Sequence, residues 1–317
     1  MRVLLVGATG TIGRATARAL VASGHDALAV IRAGAHWAAM PRGLRVIEGD
    51  PTDGTAMARL MQDERIEAVI SCLASRSGAP RDAEAIDRDA HVALLEAAEA
   101  TEVARFVLLS AICVQRPKLA FQHAKLAFEE RLKASALTWS IVRPTAYFKS
   151  LSGQVARVRD GKPYLLFGDG RLTACKPISD DDLGRYLVSC LSEPDRARAV
   201  LPVGGPGPAL TPREMGAMLF ELTGRAPVYR SVPPGFLRVV AGALGLAGLV
   251  SRKAADKAEF ARTGHYYATE SMLVWDAARG CYDADATPEY GSETLREHYA
   301  RMLAGEVADD RGAHAVF

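Results

Sequence analysis

A glycine-rich turn near the start of the chain has the residue types and spacing that hold a dinucleotide. Gly7, Gly10 and Gly13 form G-x-x-G-x-x-G directly after an apolar run at 3–6. The first glycine permits a sharp turn, the second lets backbone approach a pyrophosphate, and the third allows close helix packing, while the helix N-terminus offers N–H groups to phosphates. A tight strand–helix turn without a ligand is the alternative. The predicted contacts in this loop are Gly7, Thr9, Gly10, Thr11, Ile12, Gly13 and Arg14.

Charge around this loop indicates which nucleotide it would hold. An NAD site places an acid after the second strand for the ribose 2′-hydroxyl, whereas here Ala29-Val-Ile-Arg32 ends on a basic residue. The guanidinium groups of Arg32 and Arg14 suit a 2′-phosphate, so we expect NADP(H); solvated surface arginines are the alternative. Asp50 is predicted to hold the adenine amino group or to cap the next helix. The remaining predicted cofactor contacts are Leu73, Ala74, Ser110, Lys125, Pro144 and Thr145.

The segment Phe121-Gln-His-Ala-Lys125, with Ser110 at the end of the fifth predicted strand, is the expected centre of redox chemistry. It resembles the Tyr-x-x-x-Lys motif of short-chain dehydrogenases, in which the Lys holds the nicotinamide ribose and lowers the pKa of the Tyr. Because Phe121 replaces that Tyr, the proton donor for alcohol–ketone chemistry is missing. Either the substrate is not a carbonyl compound, or the nucleotide is a structural or sensing ligand. We expect Lys125 to bind the ribose; a plain surface lysine is the alternative.

A parallel sheet is needed to bring these residues together. Apolar runs predict strands at 2–6, 27–31, 44–47, 68–72, 105–109 and 138–142, and helical periodicity predicts helices at 12–23, 54–62, 84–100 and 122–134. This alternation implies an α/β fold of the Rossmann type, a doubly wound parallel sheet with right-handed crossovers. We predict an NADP-binding domain over 1–148, a smaller substrate-binding region over 149–305 at the C-terminal edge of the sheet, and a polar tail over 306–317. Thr211 and Glu214 predict a capping box at a further helix.

Composition excludes several classes of function. Because 39 Lys and Arg residues nearly balance 37 Asp and Glu residues, no basic surface for nucleic acid is expected. Five widely spaced cysteines without a C-x-x-C pair predict reduced thiols, no metal site and a cytoplasmic location. The N-terminus runs directly into the first strand, so we expect no signal peptide. The apolar segment 236–250 is too short to span a membrane and predicts a buried helix, or an interfacial one that contacts a membrane peripherally.

Segments spread over most of the chain carry a more specific resemblance. Examples are Ser71-Cys-Leu-Ala-Ser-Arg76, Leu108-Leu-Ser-Ala-Ile-Cys-Val-Gln115, Ser140-Ile-Val-Arg-Pro-Thr-Ala146, Ala174-Cys-Lys-Pro-Ile-Ser179 and Tyr266-Tyr-Ala-Thr-Glu-Ser-Met272. They resemble the NADPH-dependent divinyl chlorophyllide 8-vinyl reductases, which are atypical short-chain dehydrogenases that also have Phe at the Tyr position. The resemblance implies reduction of the C8 vinyl group of divinyl chlorophyllide or protochlorophyllide to ethyl, in chlorophyll or bacteriochlorophyll biosynthesis at a photosynthetic membrane.

The chemistry of a conjugated vinyl group agrees with the missing phenol. A tetrapyrrole delocalises the charge left by hydride addition, so positioning the cofactor lowers much of the barrier. The proton would come from water or from His123, Tyr147, Cys175 or Lys176; His123 is equally explained as a solvated helix residue and Tyr147 as a wall for a flat ring. A pocket for this pigment should have apolar walls and a cationic rim. The predicted substrate contacts, each of which packing also explains, are Phe148, Lys149, Tyr164, Phe167 and Lys176.

Other functions are compatible with the same fold. A reductase of another conjugated alkene would keep the reaction class, whereas an NADP-binding redox sensor or an assembly chaperone would turn nothing over. For the last two we would expect a damaged glycine loop or the loss of Lys125. Both features are intact, which favours a reductase.

Overall fold

The computed structural model describes residues 1–34, 40–248 and 251–307, apart from the side chain of Arg252. From residue 308 onward the predicted polar tail lies outside the described residues. The strands are β1 (Arg2–Val6), β2 (Asp26–Ile31), β3 (Arg45–Glu48), β4 (Ala68–Ser71), β5 (Arg105–Leu109), β6 (Thr138–Pro144), β7 (Tyr164–Phe167), β8 (Ala199–Val203), β9 (Tyr229–Val232), β10 (Val274–Asp276) and β11 (Cys281–Asp283).

Helices alternate with these strands through the first half of the chain. A π-helical segment, Ala83–Ala90, joins α3 to α4, and short 3-10 turns cover Ile112–Gln115, Ser152–Gln154 and Pro194–Arg196. The α-helices are α1 (Thr11–Ala22), α2 (Gly54–Asp63), α3 (Pro80–Asp82), α4 (His91–Glu99), α5 (Ala120–Lys133), α6 (Phe148–Leu151), α7 (Val155–Arg159), α8 (Asp180–Ser189), α9 (Pro212–Thr223), α10 (Gly235–Gly248), α11 (Arg252–Thr269) and α12 (Leu295–Leu303).

The main sheet has the strand order β3-β2-β1-β4-β5-β6-β8. Adjacent strands from β3 to β6 pair in parallel, with Leu5 opposite Ala29 on one side and Ile70 on the other. The order reverses between β1 and β4, which is the topological switch point where doubly wound folds bind ligands beyond the carboxyl ends of the strands. The predicted Rossmann-type α/β fold is confirmed.

Burial on both faces explains why the apolar runs form the central strands. The residues of β1 from Val3 to Val6 are fully buried, as are Val69 and Ile70 of β4. Strands covered by helices on both sides read as continuous apolar runs. The packed side chains on one face include Leu4, Phe106, Phe128 and Ile141.

The described chain forms two compact units. The first consists of Met1–Ser75, Arg81–Pro144 and Asp180–Leu201, and within it the Gly184 position of α8 lies directly against the backbone of Ala15 in α1. The second consists of Arg76–Pro80, Thr145–Ser179 and the described chain from Pro202 onward. The two units are defined by packing alone. The predicted domains, divided at residues 148 and 305, are defined by which ligand each would bind, so that division stays a prediction.

The second unit contains the predicted capping box. In it, Thr211 N donates to Glu214 Oε2 at 2.8 Å and Glu214 N donates to Thr211 Oγ1 at 3.3 Å, so α9 begins as predicted. β7 pairs with β9 in parallel and β10 pairs with β11 in antiparallel.

The apolar segment at 236–250 forms α10, whose last predicted residues, 249 and 250, lie outside the described ones. Phe236, Val239 and Leu246 are 57%, 70% and 74% exposed, and Ala241 is the one buried residue of α10. The prediction of a buried helix is therefore wrong for this face, because the face has no packing partner within the described chain. No described helix is long and apolar enough to cross a membrane.

Candidate functional site

The glycine loop separates glycines that the fold requires from one that it does not. A Cβ on Gly7, which has φ +80°, would lie 2.5 Å from the carbonyl carbon of Cys72, and one on Gly13 would lie 2.1 Å from Gly7 O. A Cβ on Gly10 would have Gly7 O as its nearest neighbour, at 3.4 Å. Gly10 is exposed and is the N-cap of α1. Because N–H groups in a first helical turn lack intrahelical acceptors, the open space at Gly10 fits a phosphate group.

Both predicted arginines lie close to the loop and the ends of its neighbouring strands. Arg14 donates through Nη1 to Thr9 O at 2.7 Å, which holds its guanidinium along the loop. Arg32 directly follows β2, is exposed, and its charge helps to lower the pKa of Asp50. The contact of these two arginines with a ribose 2′-substituent stays a prediction.

Asp50 does not cap α2. Its Oδ1 accepts from Thr52 N at 2.9 Å and from Thr52 Oγ1 at 2.7 Å, and these bonds are the main cause of its lowered pKa. Asp53 is the N-cap and accepts from Ala56 N at 3.0 Å. The capping alternative for Asp50 is wrong because the turn after β3 brings Asp53 to the helix start, and an adenine contact for Asp50 stays a prediction.

The other predicted cofactor contacts lie at strand ends. Leu73 and Ala74 follow β4, and Ala74 is exposed. Pro144 ends β6 and is buried. In the second unit Thr145 donates from its hydroxyl to Lys176 O and from its backbone N–H to Val203 O, so its side chain is engaged in the protein. Thr11 and Ile12 open α1, with Ile12 buried.

Lys125 is a buried residue and not a surface lysine. Its side chain is 10% exposed, and Nζ lies 2.9 Å from Asp87 Oδ1, whose residue is 1% exposed. The surface-lysine alternative is therefore wrong: Asp87 compensates a charge that would otherwise be costly to bury. Asp87 belongs to the π-helical segment before α4.

A buried histidine completes the surroundings of this pair. His91 Nδ1 lies 2.8 Å from Ile86 O and must donate to it, so Nε2, 2.9 Å from Ser71 Oγ, accepts the serine hydroxyl. Burial, helped by the charge of Lys125, lowers the pKa of His91 to about 4. The imidazole is therefore neutral near pH 7 and adds no charge to the pair.

Ser110 donates its hydroxyl within the protein. Its Oγ lies 2.6 Å from Glu129 Oε1, and the fully buried Glu129 also pairs with Arg143. A serine that polarises a carbonyl must give this proton to the substrate oxygen. With its donor engaged and Phe121 in place of a phenol, Ser110 offers a ligand its lone pairs.

The remaining candidates on α5 and after β6 differ in accessibility. His123 is exposed on α5, as its solvated interpretation predicts, and Tyr147 is half-buried just before α6. Burial raises the pKa of Cys175 to about 12. Lys176 is 6% exposed, pairs with Glu289 Oε1 at 2.6 Å and donates to Thr287 O at 3.2 Å.

The predicted substrate contacts lie in the second unit with mixed burial. Phe148 is 1% exposed and packs on His298, with ring centroids 5.1 Å apart. Tyr164 is 4% exposed, meets Tyr229 edge-on and has a pKa raised by burial. Lys149 and Phe167 are half-buried. These contacts give Phe148 and Tyr164 packing roles, and a substrate role for the set stays a prediction.

Sequence reasoning missed Asp87, His91 and Glu129. All three lie within predicted helices that are rich in charged residues, where nothing marks one carboxylate as buried. The spacing of Lys125 and Glu129, one helical turn apart on α5, was the available signal for a shared face. Among the described residues, no group of three or more His, Cys, Asp or Glu side chains is placed to hold a metal ion.

Comparison with known proteins covers both the glycine loop and Lys125. A family profile described as NAD(P)H-binding matches residues 7–194. The chain is 45% identical over 331 residues to the chloroplastic divinyl chlorophyllide a 8-vinyl-reductase of Oryza sativa subsp. indica, covering 99% of this chain and 82% of that protein. It is 41% identical over 325 residues to the Arabidopsis thaliana protein of the same name, covering 97% and 78%.

A solved structure has the same fold at low identity. The NADPH-dependent quinone oxidoreductase of Escherichia coli, solved with NADPH, matches with a TM-score of 0.68 and 18% identity over 95% of this chain and 99% of that one. At this identity the likeness shows the fold alone.

Proposed function

This chain belongs to the divinyl chlorophyllide a 8-vinyl-reductase family, and we propose that it reduces the C8 vinyl group of divinyl chlorophyllide or protochlorophyllide to ethyl. The observation that carries the proposal is 41% to 45% identity to enzymes of that name over 97% to 99% of the chain. An oxidoreductase that acts on a C=C bond with a nicotinamide cofactor follows from the family and from the NAD(P)H-binding match over residues 7–194.

The arrangement of donors supports an alkene substrate. A carbonyl reductase needs hydroxyl groups that donate to the substrate oxygen as charge develops there. Here Phe121 has no hydroxyl and Ser110 donates to Glu129. A conjugated vinyl group has no such oxygen. The negative charge that hydride addition leaves is delocalised over the macrocycle, so its reduction needs no hydroxyl donor of this kind.

We propose NADPH as the specific cofactor, which would supply the hydride. Gly10 leaves space for the pyrophosphate, and Arg14 and Arg32 would bind the 2′-phosphate through charge-assisted hydrogen bonds. Lys125 would bind the nicotinamide ribose from its buried position beside Asp87.

The proton would come from Tyr147, His123 or water. Cys175 is a poor donor because burial raises its thiol pKa to about 12. The Lys176 ammonium already donates to Glu289 Oε1 at 2.6 Å and to Thr287 O at 3.2 Å, and we propose it as a fixed contact for the pigment. We propose Phe148, Lys149, Tyr164 and Phe167 as the further substrate contacts.

We also propose peripheral contact with a membrane through α10. Phe236, Val239, Ala243 and Leu246 are exposed along one side of the helix, a stripe that fits the boundary of a bilayer. A tetrapyrrole substrate is lipophilic, so this contact would bring the enzyme to it. The cytoplasmic location and the photosynthetic membrane stay predictions.

The conversion assay tests the reaction. Purified protein is incubated without oxygen with NADPH and either divinyl pigment, and the product is followed by its Soret band and mass. We expect a blue shift and a gain of two hydrogens that requires NADPH. Unchanged pigments alongside tight NADPH binding would contradict the proposal, and favour a reductase of another conjugated alkene or a redox sensor.

A further inference from the structure

The Lys176–Glu289 ion pair of the second unit joins a buried cation to a carboxylate at the surface. The Lys176 side chain is 8% exposed and the Glu289 side chain is 46% exposed, with Nζ 2.6 Å from Oε1. Lys125, the buried lysine of the first unit, pairs instead with Asp87, whose side chain is 1% exposed. Glu289 is therefore a partner that can leave its cation, because water can solvate the released carboxylate.

The buried ammonium stays in place when Glu289 leaves, but it still needs an anion. Its Nζ also donates to Thr287 O at 3.2 Å, and the carbonyl oxygen of Lys176 accepts from Gly205 N at 3.2 Å and from the Thr145 hydroxyl. These contacts fix both ends of the residue. Because a carbonyl oxygen does not neutralise an ammonium, the buried charge is costly unless another carboxylate takes the position of Glu289.

Release of the Glu289 side chain leaves the neighbouring backbone paired. Its Oε2 accepts from the exposed Gly207 N at 3.2 Å, a bond that water can replace. The residues on either side of Glu289 have backbone bonds of their own, from Gly204 N to Pro288 O at 2.8 Å and from Tyr290 N to Gly204 O at 2.9 Å. The movement that uncovers Lys176 Nζ is therefore confined to one side chain.

The pigments of the proposed function carry the anion that can take this position. Divinyl chlorophyllide and divinyl protochlorophyllide each have one free propionate on an apolar macrocycle. A propionate ends in the same carboxylate as a glutamate side chain, so it accepts the same charge-assisted hydrogen bond from the ammonium. An esterified propionate has no charge and cannot compensate a buried cation.

We infer that the propionate of the pigment displaces Glu289 from Lys176, so that Glu289 neutralises Lys176 in the empty site and yields it to a substrate with a free acid. The inference rests on the proposed function. It makes Lys176 the residue that selects a free acid over an ester, and Glu289 the exchangeable partner that competes with the substrate.

Pigment binding to the purified full chain tests this exchange. The probes are divinyl chlorophyllide and its methyl ester, and the change in pigment absorption on binding is measured without NADPH, so that no turnover occurs. The wild type should bind the free acid at least about threefold more tightly than the ester. Equal affinity of the wild type for the two probes would overturn the inference, and this comparison needs no variant to fold.

Glu289→Gln removes the competing charge and keeps the size of the side chain. The free acid should bind this variant about tenfold more tightly than it binds the wild type, because the Lys176 ammonium then has no other carboxylate. The affinity for the ester should stay unchanged. An unchanged or weaker affinity for the free acid, or an equal gain for the ester, would overturn the inference.

Glu221→Gln is the matched control. Glu221 is also an exposed carboxylate of the second unit that pairs with a cation, Arg296, at 2.7 Å, but Arg296 is itself exposed. This variant should change neither affinity, and the same gain for the free acid as in Glu289→Gln would overturn the inference. A wild type that binds neither pigment would overturn the proposed function as well, whereas binding without discrimination removes the inference alone.

Discussion

At the scale of single residues, two hydrogen bonds determine which protons of this site are available to a ligand. The Ser110 hydroxyl is given to Glu129 and the Lys125 ammonium lies against Asp87. Each partner is buried, so each bond is shielded from water and is costly to break. The site is therefore suited to holding a cofactor in place more than to polarising a substrate oxygen.

The glycine loop allows a test that separates folding from binding. Gly10→Ala should leave stability nearly unchanged, since the added Cβ meets nothing closer than 3.4 Å and the backbone has φ −72°. It should weaken nucleotide binding by filling space at the phosphate. Gly13→Ala should unfold the loop, because its Cβ would lie 2.1 Å from Gly7 O. Thermal denaturation and NADPH titration of both variants check this; tight NADPH binding by Gly10→Ala would refute the phosphate site.

The preference for NADPH depends on exposed cations. Arg32→Gln should weaken NADPH binding about tenfold and leave NADH binding unchanged, since a charge-assisted bond to the 2′-phosphate is lost. Arg59→Gln, which removes an exposed arginine of α2, is the control and should change neither. Fluorescence titration with both nucleotides measures the two affinities. Equal losses for NADPH and NADH would contradict a 2′-phosphate contact.

At the scale of elements, the pattern of apolar residues predicted the strands β1 to β6, and the helices between them, to within a few residues. It succeeded because those strands are buried on both faces and their helices carry one apolar stripe. It could not show that the helix predicted at 84–100 begins as a π-helix, or that Asp53 and not Asp50 caps α2. The π-helical turn and the choice of N-cap both depend on local hydrogen bonds. A neighbouring residue of the same type, such as Asp50 beside Asp53, could form such a bond equally well, so the sequence does not decide between them.

The burial of His91 should make the stability of the protein depend on pH. Burial lowers the pKa of His91 from 6.5 to about 4, so the unfolded chain takes up this proton first as the pH falls. The contribution of the neutral, buried His91 to the free energy of unfolding is therefore complete above pH 6.5 and is lost as the pH falls towards 4. In His91→Gln the loss of unfolding free energy between about pH 7.5 and 5 should be smaller by about 2 kcal/mol. Urea denaturation measures it, with exposed His123→Gln as the control; an unchanged pH slope in His91→Gln would contradict a buried neutral imidazole.

The exposed stripe of α10 predicts binding to lipid. The full chain should float with phosphatidylcholine vesicles that contain phosphatidylglycerol, because exposed Lys253 and Lys257 on the adjoining helix attract anionic lipid. The double variant Val239→Glu, Leu246→Glu should stay in solution, whereas Leu172→Glu, at a residue that is 52% exposed elsewhere, should still float. A wild-type protein that never floats would rule out this contact.

At the scale of the whole molecule, the sequence predicted the family better than it predicted the site. The motifs between Ser71 and Met272 identify a family because each is a short run of consecutive residues that can be recognised without a structure. The pairs that define the site join residues far apart, such as Asp87 with Lys125 and Ser110 with Glu129. Tertiary packing creates those pairs, so a single sequence shows their residue types without showing their partners.

Transfer of a labelled hydride tests the central claim most directly. NADPH that carries deuterium at both hydrogens of the nicotinamide C4 is incubated with the protein and divinyl chlorophyllide in a single anaerobic turnover. We predict that the product carries one deuterium in the C8 ethyl group. Deuterium at another carbon of the pigment, or a pigment without deuterium while NADPH is bound, would contradict vinyl reduction by this chain.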